Sequence, residues 1–252
     1  MPRLLAVLFI LGLCINAGVA RAKDDQKDHQ AASLHVIVAL VDNDTQGIVP
    51  VPAKIGNGND PANNLYWGAA YGVKTFLSKA PGWRRESCTL DVSQTIIERC
   101  IFTLAGQLEV VADAYRGENI GDAMVQFMRE AAKPPLQGKR EMVLFVGHNG
   151  LMDAKNANLV AQFPLHAPHG KLAGVLACLS DRYFRSHLSA AGAQASVTTF
   201  SFMAPEAYVV EAIARVFAEG GSDIAMREAA GSAYAKYQKI SSRAGAGVFV
   251  RK

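Results

Sequence analysis

The chain contains no Gly-x-Ser-x-Gly elbow and no Gly-x-Gly-x-x-Gly fingerprint. The first absence argues against a serine hydrolase of the α/β type and the second against a dinucleotide-binding enzyme, so no cofactor is expected. Charge of either sign is in short supply: 26 Lys and Arg stand against 22 Asp and Glu. The formal net charge is +4, and about +2 once Arg3 and Arg21 are set aside. A balance that close to neutral calls for no nucleic-acid partner. After residue 22 no apolar run is long and uncharged enough to cross a bilayer, so no membrane span is expected. There are no repeats and no low-complexity tract, which excludes solenoids and arrays.

Half of the residues are hydrophobic, enough for a sizeable core in one domain. Met1-Pro-Arg3, an apolar run from Leu4 to Ile15 and Ala20-Arg21-Ala22 form the n-region, h-region and small-x-small site of a secretory signal peptide. Residues 1–22 are therefore expected to be a signal peptide with cleavage near Ala22, giving a periplasmic or secreted protein. Residues 23–33 are charged and small and read as a disordered leader, and residues 34–252 as the folded domain. Of the four cysteines, Cys14 lies in the signal peptide. In an oxidising compartment Cys88 and Cys100 are expected to form a disulfide, leaving Cys178 free.

Residues 34–41 (LHVIVALV) are a continuous apolar run, the first buried strand, with His35 as a solvated strand-end residue. A loop over residues 47–64, rich in Gly, Asn and Pro, is long for a compact domain and should rim one edge of the sheet. Apolar spacing predicts a helix over 65–77, closed by Pro81-Gly82. A disulfide-stapled hairpin, a strand near 107–115 and an amphipathic helix over 120–132 follow, then strands at 141–147 and 172–178. A helix over 181–191, a strand over 195–202 and helices over 206–218 and 224–240 complete the chain. This alternation is that of an α/β fold, a three-layer α/β/α sandwich with a mainly parallel sheet.

Two strands end in chemistry. The run 141–150 (EMVLFVGHNG) delivers His148, and the run 172–180 (LAGVLACLS) delivers Cys178, both to the edge outside strand C-termini where ligands bind in open α/β sheets. A cysteine needs only one neighbouring base to be an effective nucleophile near neutral pH, since an imidazole stabilises its thiolate. His148 is the candidate base. Oxyanion donors are sought in the backbone of Cys178 and of the Gly147, Asn149 and Gly150 turn. Asp42, Asp44 and Asp153 sit at loop positions from which one could orient His148. His166 and His169 lie three apart on a loop rather than a helix, a spacing without metal geometry, and no metal is expected.

An apolar strand ending in a histidine with glycine close behind, followed by an apolar strand ending in Ala-Cys, resembles the caspase, legumain and gingipain superfamily, the clan CD cysteine peptidases. Residues 143–148 and 175–178 carry the likeness. Asn149, between His148 and Gly150, departs from the His-Gly pair usual there. The resemblance implies a caspase-like fold and a His148/Cys178 dyad that cleaves a peptide or protein substrate through a thioester. The alternative expectation is a non-catalytic periplasmic binding or interaction protein on the same fold, holding its ligand with the 47–64 loop. The sequence carries no signal for oligomeric state.

Overall fold

A computed structural model describes residues 32–162 and 169–250. Its organising feature is strand β1 (Ala32–Ala39), whose apolar residues are covered on both sides and which therefore lies in the middle of a sheet rather than at its edge. It pairs in parallel with β4 (Leu108–Tyr115) on one side and β5 (Arg140–Val146) on the other. Beyond β5 come β6 (Leu172–Leu176) and β7 (Gln194–Val197), both parallel. On the other flank, β2 (Trp83–Leu90) and β3 (Ile96–Leu104) form a hairpin that joins β4 antiparallel. The seven-stranded order is β2-β3-β4-β1-β5-β6-β7, an α/β fold with a mostly parallel sheet.

Helices cover both faces, giving three layers. Strand positions alternate between two apolar clusters. One cluster is sealed by α2 (Ile120–Ala132) and α3 (Ser180–Ala190). The other is sealed by α1 (Val73–Leu77), α4 (Ala207–Ala218), α5 (Asp223–Gln238) and α6 (Ser242–Phe249). In α2 the buried set Ile120, Met124, Phe127, Met128 and Ala131 recurs at helical spacing, which is why its bounds were readable from the apolar period alone. Phe127 and Phe184 both meet Phe145 of β5, with centroids 5.9 and 6.2 Å away. Truncating so enclosed a ring typically costs about 3–5 kcal/mol, so α2 and α3 are held firmly under the strand that carries His148.

Cys88 and Cys100 are directly opposite each other in the β2–β3 ladder and are disulfide-bonded, and Cys178 is free. Several elements depart from the sequence expectation. The helix foreseen over 65–77 is confined to α1; residues 65–72 form turns instead. A Cβ on Gly68 or Gly72 would strike the backbone of Ala62 or Trp67, so the chain folds more tightly there than a helix, at positions only glycine permits. The strand foreseen over 195–202 stops at Val197, because Thr199 turns away to bond the Ala177 carbonyl and the Ser180 hydroxyl. Helix α6 was not foreseen. Its glycines hide it from the apolar period, and they serve close packing, since Gly245 abuts the Gly231 carbonyl and Ala235 of α5. Ala32 and Ser33, expected in the leader, already belong to β1. His35 is not a free solvated residue: its Nε2 lies 2.9 Å from Asp113. The foreseen signal peptide and His166 lie outside the described residues, while His169 sits exposed in a turn.

Candidate active site

β5 and β6 are adjacent and parallel, with Val146 opposite Leu176. The ladder runs one bond further, the Gly147 N–H donating to the Leu176 carbonyl at 3.2 Å. The strands end there: His148 and Cys178 each lie two residues past a paired position, Val146 and Leu176, whose side chains belong to the same apolar cluster, and the Asn149 side chain joins the two turns through the Cys178 carbonyl.

Each is fixed by its own surroundings. After His148 the chain makes a 3-10 turn, Gly150–Met152, closed by bonds from Gly150 N–H to the His148 carbonyl (3.0 Å) and from Asp153 N–H to the Gly150 carbonyl (3.1 Å). This turn brings Asp153 back onto the imidazole: His148 Nε2 lies 3.0 Å from Asp153 Oδ1, and both side chains are about nine-tenths buried, at 9 % and 10 % exposure. With Nε2 so engaged, Nδ1 is the ring nitrogen left for a thiol or a substrate proton. The second carboxylate oxygen, Oδ2, is buried without a partner among the described residues. Gly47, from the loop after β1, lies so close to Asp153 Oδ1 that a Cβ there would collide with it. The 47–64 loop therefore reaches the site's rim, and Lys155 Nζ ties its base down through the Thr45 carbonyl at 2.7 Å.

Cys178 sits where β6 gives way to α3. Leu179 takes the left-handed conformation, φ 53°, which costs a non-glycine residue about 1–2 kcal/mol. Its N–H is tied to the Ser201 carbonyl at 3.0 Å. The sharp turn leaves the thiol part-exposed at the sheet edge. Its Sγ donates to the Met203 carbonyl and accepts from the Met203 N–H, both at 3.5 Å, and no hydrogen bond joins it to His148. Between the two strand ends lies Asn149, fully buried, whose Nδ2 donates to the Cys178 carbonyl at 2.6 Å while its Oδ1 accepts from the Leu151 N–H. Asn149 is thus a brace that spans the gap between the histidine's strand and the cysteine's.

Of the three acids foreseen as orienting groups, Asp153 meets His148. Asp42 is buried in its own loop, accepting from the Thr45 hydroxyl at 2.7 Å and the Asp44 N–H at 3.2 Å. Asp44 is exposed. Of the foreseen oxyanion donors, the Gly147 and Gly150 N–H groups are already spent on the Leu176 and His148 carbonyls, so neither is available without breaking a bond that shapes the turn.

The thiol has further neighbours that the sequence did not single out. Burial pushes the Tyr66 phenol well above its usual range, and the Cys178 and Glu206 charges raise it further. Tyr234 is raised by burial too, partly offset by the bond it accepts from the Ala204 N–H at 3.0 Å, with Cys178 and Glu206 again adding to the rise. Burial likewise raises the Glu206 carboxyl, although Tyr208 and Gln238 donate to it. The sequence did carry a signal for Tyr66, a large aromatic beside a Gly- and Asn-rich loop after the first strand. None pointed to Met203, which acts through its backbone.

The chain matches no protein-family model, no curated protein and no solved structure.

Proposed function

We propose that this protein is an exported cysteine peptidase or amidase on a caspase-like sheet, with Cys178 as nucleophile, His148 as general base and Asp153 orienting His148. The observation that supports this reading is the β5–β6 register, which sets side by side the two strands that lead into His148 and Cys178. The disulfide between Cys88 and Cys100 fits an oxidising compartment and so supports export.

The chemistry balances with these groups alone. The Cys178 thiol passes its proton to His148 Nδ1, and Sγ attacks the carbonyl carbon of a peptide or amide. As the tetrahedral adduct collapses the C–N bond breaks, and the imidazolium returns its proton to the leaving amine. The thioester is then hydrolysed by a water that His148 deprotonates, releasing the acid and restoring the thiol. Asp153 holds the ring by Nε2 and favours the imidazolium that each half-reaction passes through. Removing the thiol from its Met203 contacts, at 3.5 Å each, is a small cost for a sulfur hydrogen bond.

A second reading is a non-catalytic binding protein. It is favoured by one observation, that the thiol's hydrogen bonds go to Met203 and the imidazole's to Asp153. Alkylation by iodoacetamide at pH 6.5 separates the two readings. In the dyad His148→Ala slows modification of Cys178 by about tenfold or more. Equal rates in the parent and the variant overturn the dyad and leave the binding protein.

A further inference from the structure

The strand that leads into Cys178 is bound by side-chain hydroxyls along one side. The Leu176 carbonyl faces β5, where it accepts from the Gly147 N–H, so by the alternation of a strand the carbonyls of Ala173, Val175 and Ala177 face the other way, towards β7 and the chain that leaves it. Each of the three accepts a hydroxyl: Ser196 at 3.1 Å, Ser180 at 2.7 Å, and Thr199. All three hydroxyl residues are fully buried.

Ser180 and Thr199 are also bound to one another. The Ser180 N–H donates to Thr199 Oγ1 at 3.1 Å, and the Thr199 N–H donates to Ser180 Oγ at 2.9 Å. Each hydroxyl thus gives its proton to a carbonyl of the β6 segment and accepts from the other residue's backbone, a reciprocal clasp. The Thr199 oxygen links the Ala177 carbonyl to the Ser180 N–H, the two groups that a four-residue turn would join directly. No direct bond joins them. The central residues of that turn are Cys178 and Leu179, and with a hydroxyl wedged into it Leu179 takes the left-handed conformation, φ 53°. A non-glycine residue stays in that region only where its surroundings over-determine it.

We infer that Ser180 and Thr199 are positioning residues for Cys178: their clasp holds the 177–180 turn open at Leu179 and so sets where the thiol stands. Neither hydrogen-bonds the sulfur, whose bonds go to Met203; they act through the backbone before and after it. Without the Thr199 hydroxyl the Ala177 carbonyl and the Ser180 N–H are left buried and unpaired until the turn tightens and they meet, a movement that carries Cys178 off Met203. On the peptidase reading, on which only the His148 part of the test rests, the clasp keeps the thiol where His148 takes its proton.

The test is the rate at which iodoacetamide alkylates Cys178 on the full chain, counted at that residue by peptide mass spectrometry. At pH 9.5 an ordinary thiol is deprotonated, so the rate there reports access. Thr199→Val, which keeps the shape and removes the hydroxyl, is expected to raise it at least about threefold, and Thr199→Ser, which keeps the hydroxyl, to leave it within about twofold of the parent. At pH 6.5 the slowing caused by His148→Ala, about tenfold or more in the parent, is expected to shrink to about twofold or less in the Thr199→Val background. An unchanged pH 9.5 rate in Thr199→Val, or an equal rise in Thr199→Ser, overturns the inference. So does a tenfold His148→Ala effect preserved in both backgrounds, since a displaced thiol does not keep the same base. If His148→Ala has no effect in the parent, the peptidase reading falls and the pH 9.5 rates alone judge the clasp. Hydrogen exchange on the parent decides the matter where Thr199→Val does not fold: the Ser180 and Thr199 N–H groups should exchange as slowly as those of β6, and exchange as fast as in the exposed loops overturns the clasp.

Discussion

Two histidine–aspartate pairs occupy this sheet at almost the same distance, His35 with Asp113 at 2.9 Å and His148 with Asp153 at 3.0 Å. What separates them is the third partner. Asp113, 1 % exposed, also takes both donors of the Arg99 fork, at 2.6 and 2.8 Å, so its charge is compensated and its oxygens are filled. That pair clamps β1, β4 and β3 together. Among the described residues no Lys or Arg pairs with Asp153 and one of its buried oxygens has no partner, while the other is hydrogen-bonded to the imidazole. The same two residue types build a clamp where a guanidinium neutralises the acid, and a lone hydrogen-bonded pair at the sheet's edge where none does.

The largest expected contrast is in activity. In the peptidase reading His148→Ala lowers kcat/KM for peptide-amide hydrolysis by about 10²–10⁴-fold, whereas His35→Ala leaves it within about twofold, since His35 lies far from the C-terminal edge of the sheet. Equal losses in the two variants would erase the distinction. Stability should rank the aspartates the other way round. Asp113→Asn strips the charge from a buried ion pair and is expected to cost about 3 kcal/mol in urea unfolding. Asp153→Asn should cost less than about 1 kcal/mol. If Asp153→Asn is the more damaging of the two, Asp153 is a structural clamp as well and the contrast fails.

The smallest effect concerns acid. Burial alone would raise the Asp113 carboxyl, but hydrogen bonds from Arg99 and His35 outweigh it and the net direction is down. A depressed pKa contributes stability that is complete above the ordinary aspartate range, near pH 4, and is lost as pH falls through the lower folded value. The parent should therefore lose stability below about pH 4 more steeply than Asp113→Asn. Superimposable acid profiles would show that the Arg99 clamp contributes nothing to folding.

Much of the sheet could be read in advance because its strands bury both faces, and runs such as VLFV at 143–146 and VIVAL at 36–40 have no other use in a chain of this size. The disulfide was legible from cysteine counting and the pair of strand ends from Gly147, His148 and Cys178. The missed parts share a cause: they depend on contacts distant in sequence. Asn149 is one residue in a turn until Cys178 is placed beside it, and Glu206 reads as the start of a helix until Gln238, 32 positions on, donates to it. His35 looks solvated unless Asp113, 78 positions away, is known to face it. The choice among three candidate acids was open for a local reason instead: Asp153 is five positions from His148, but the tight turn after Gly150 that selects it has no apolar period to announce it.

The central place of β1 also sets a timetable. Its contacts span 78 positions to β4 and 108 to β5, as His35 with Asp113 and Ser33 with Glu141 record. At about 5–20 residues per second, a chain growing from its N-terminus leaves β1 without either neighbouring strand for several seconds. Closing such long loops is slow even once both partners exist. Through that interval the chain carries a bare apolar strand, open on both edges, which is the kind of segment that chaperones hold and that aggregates form around.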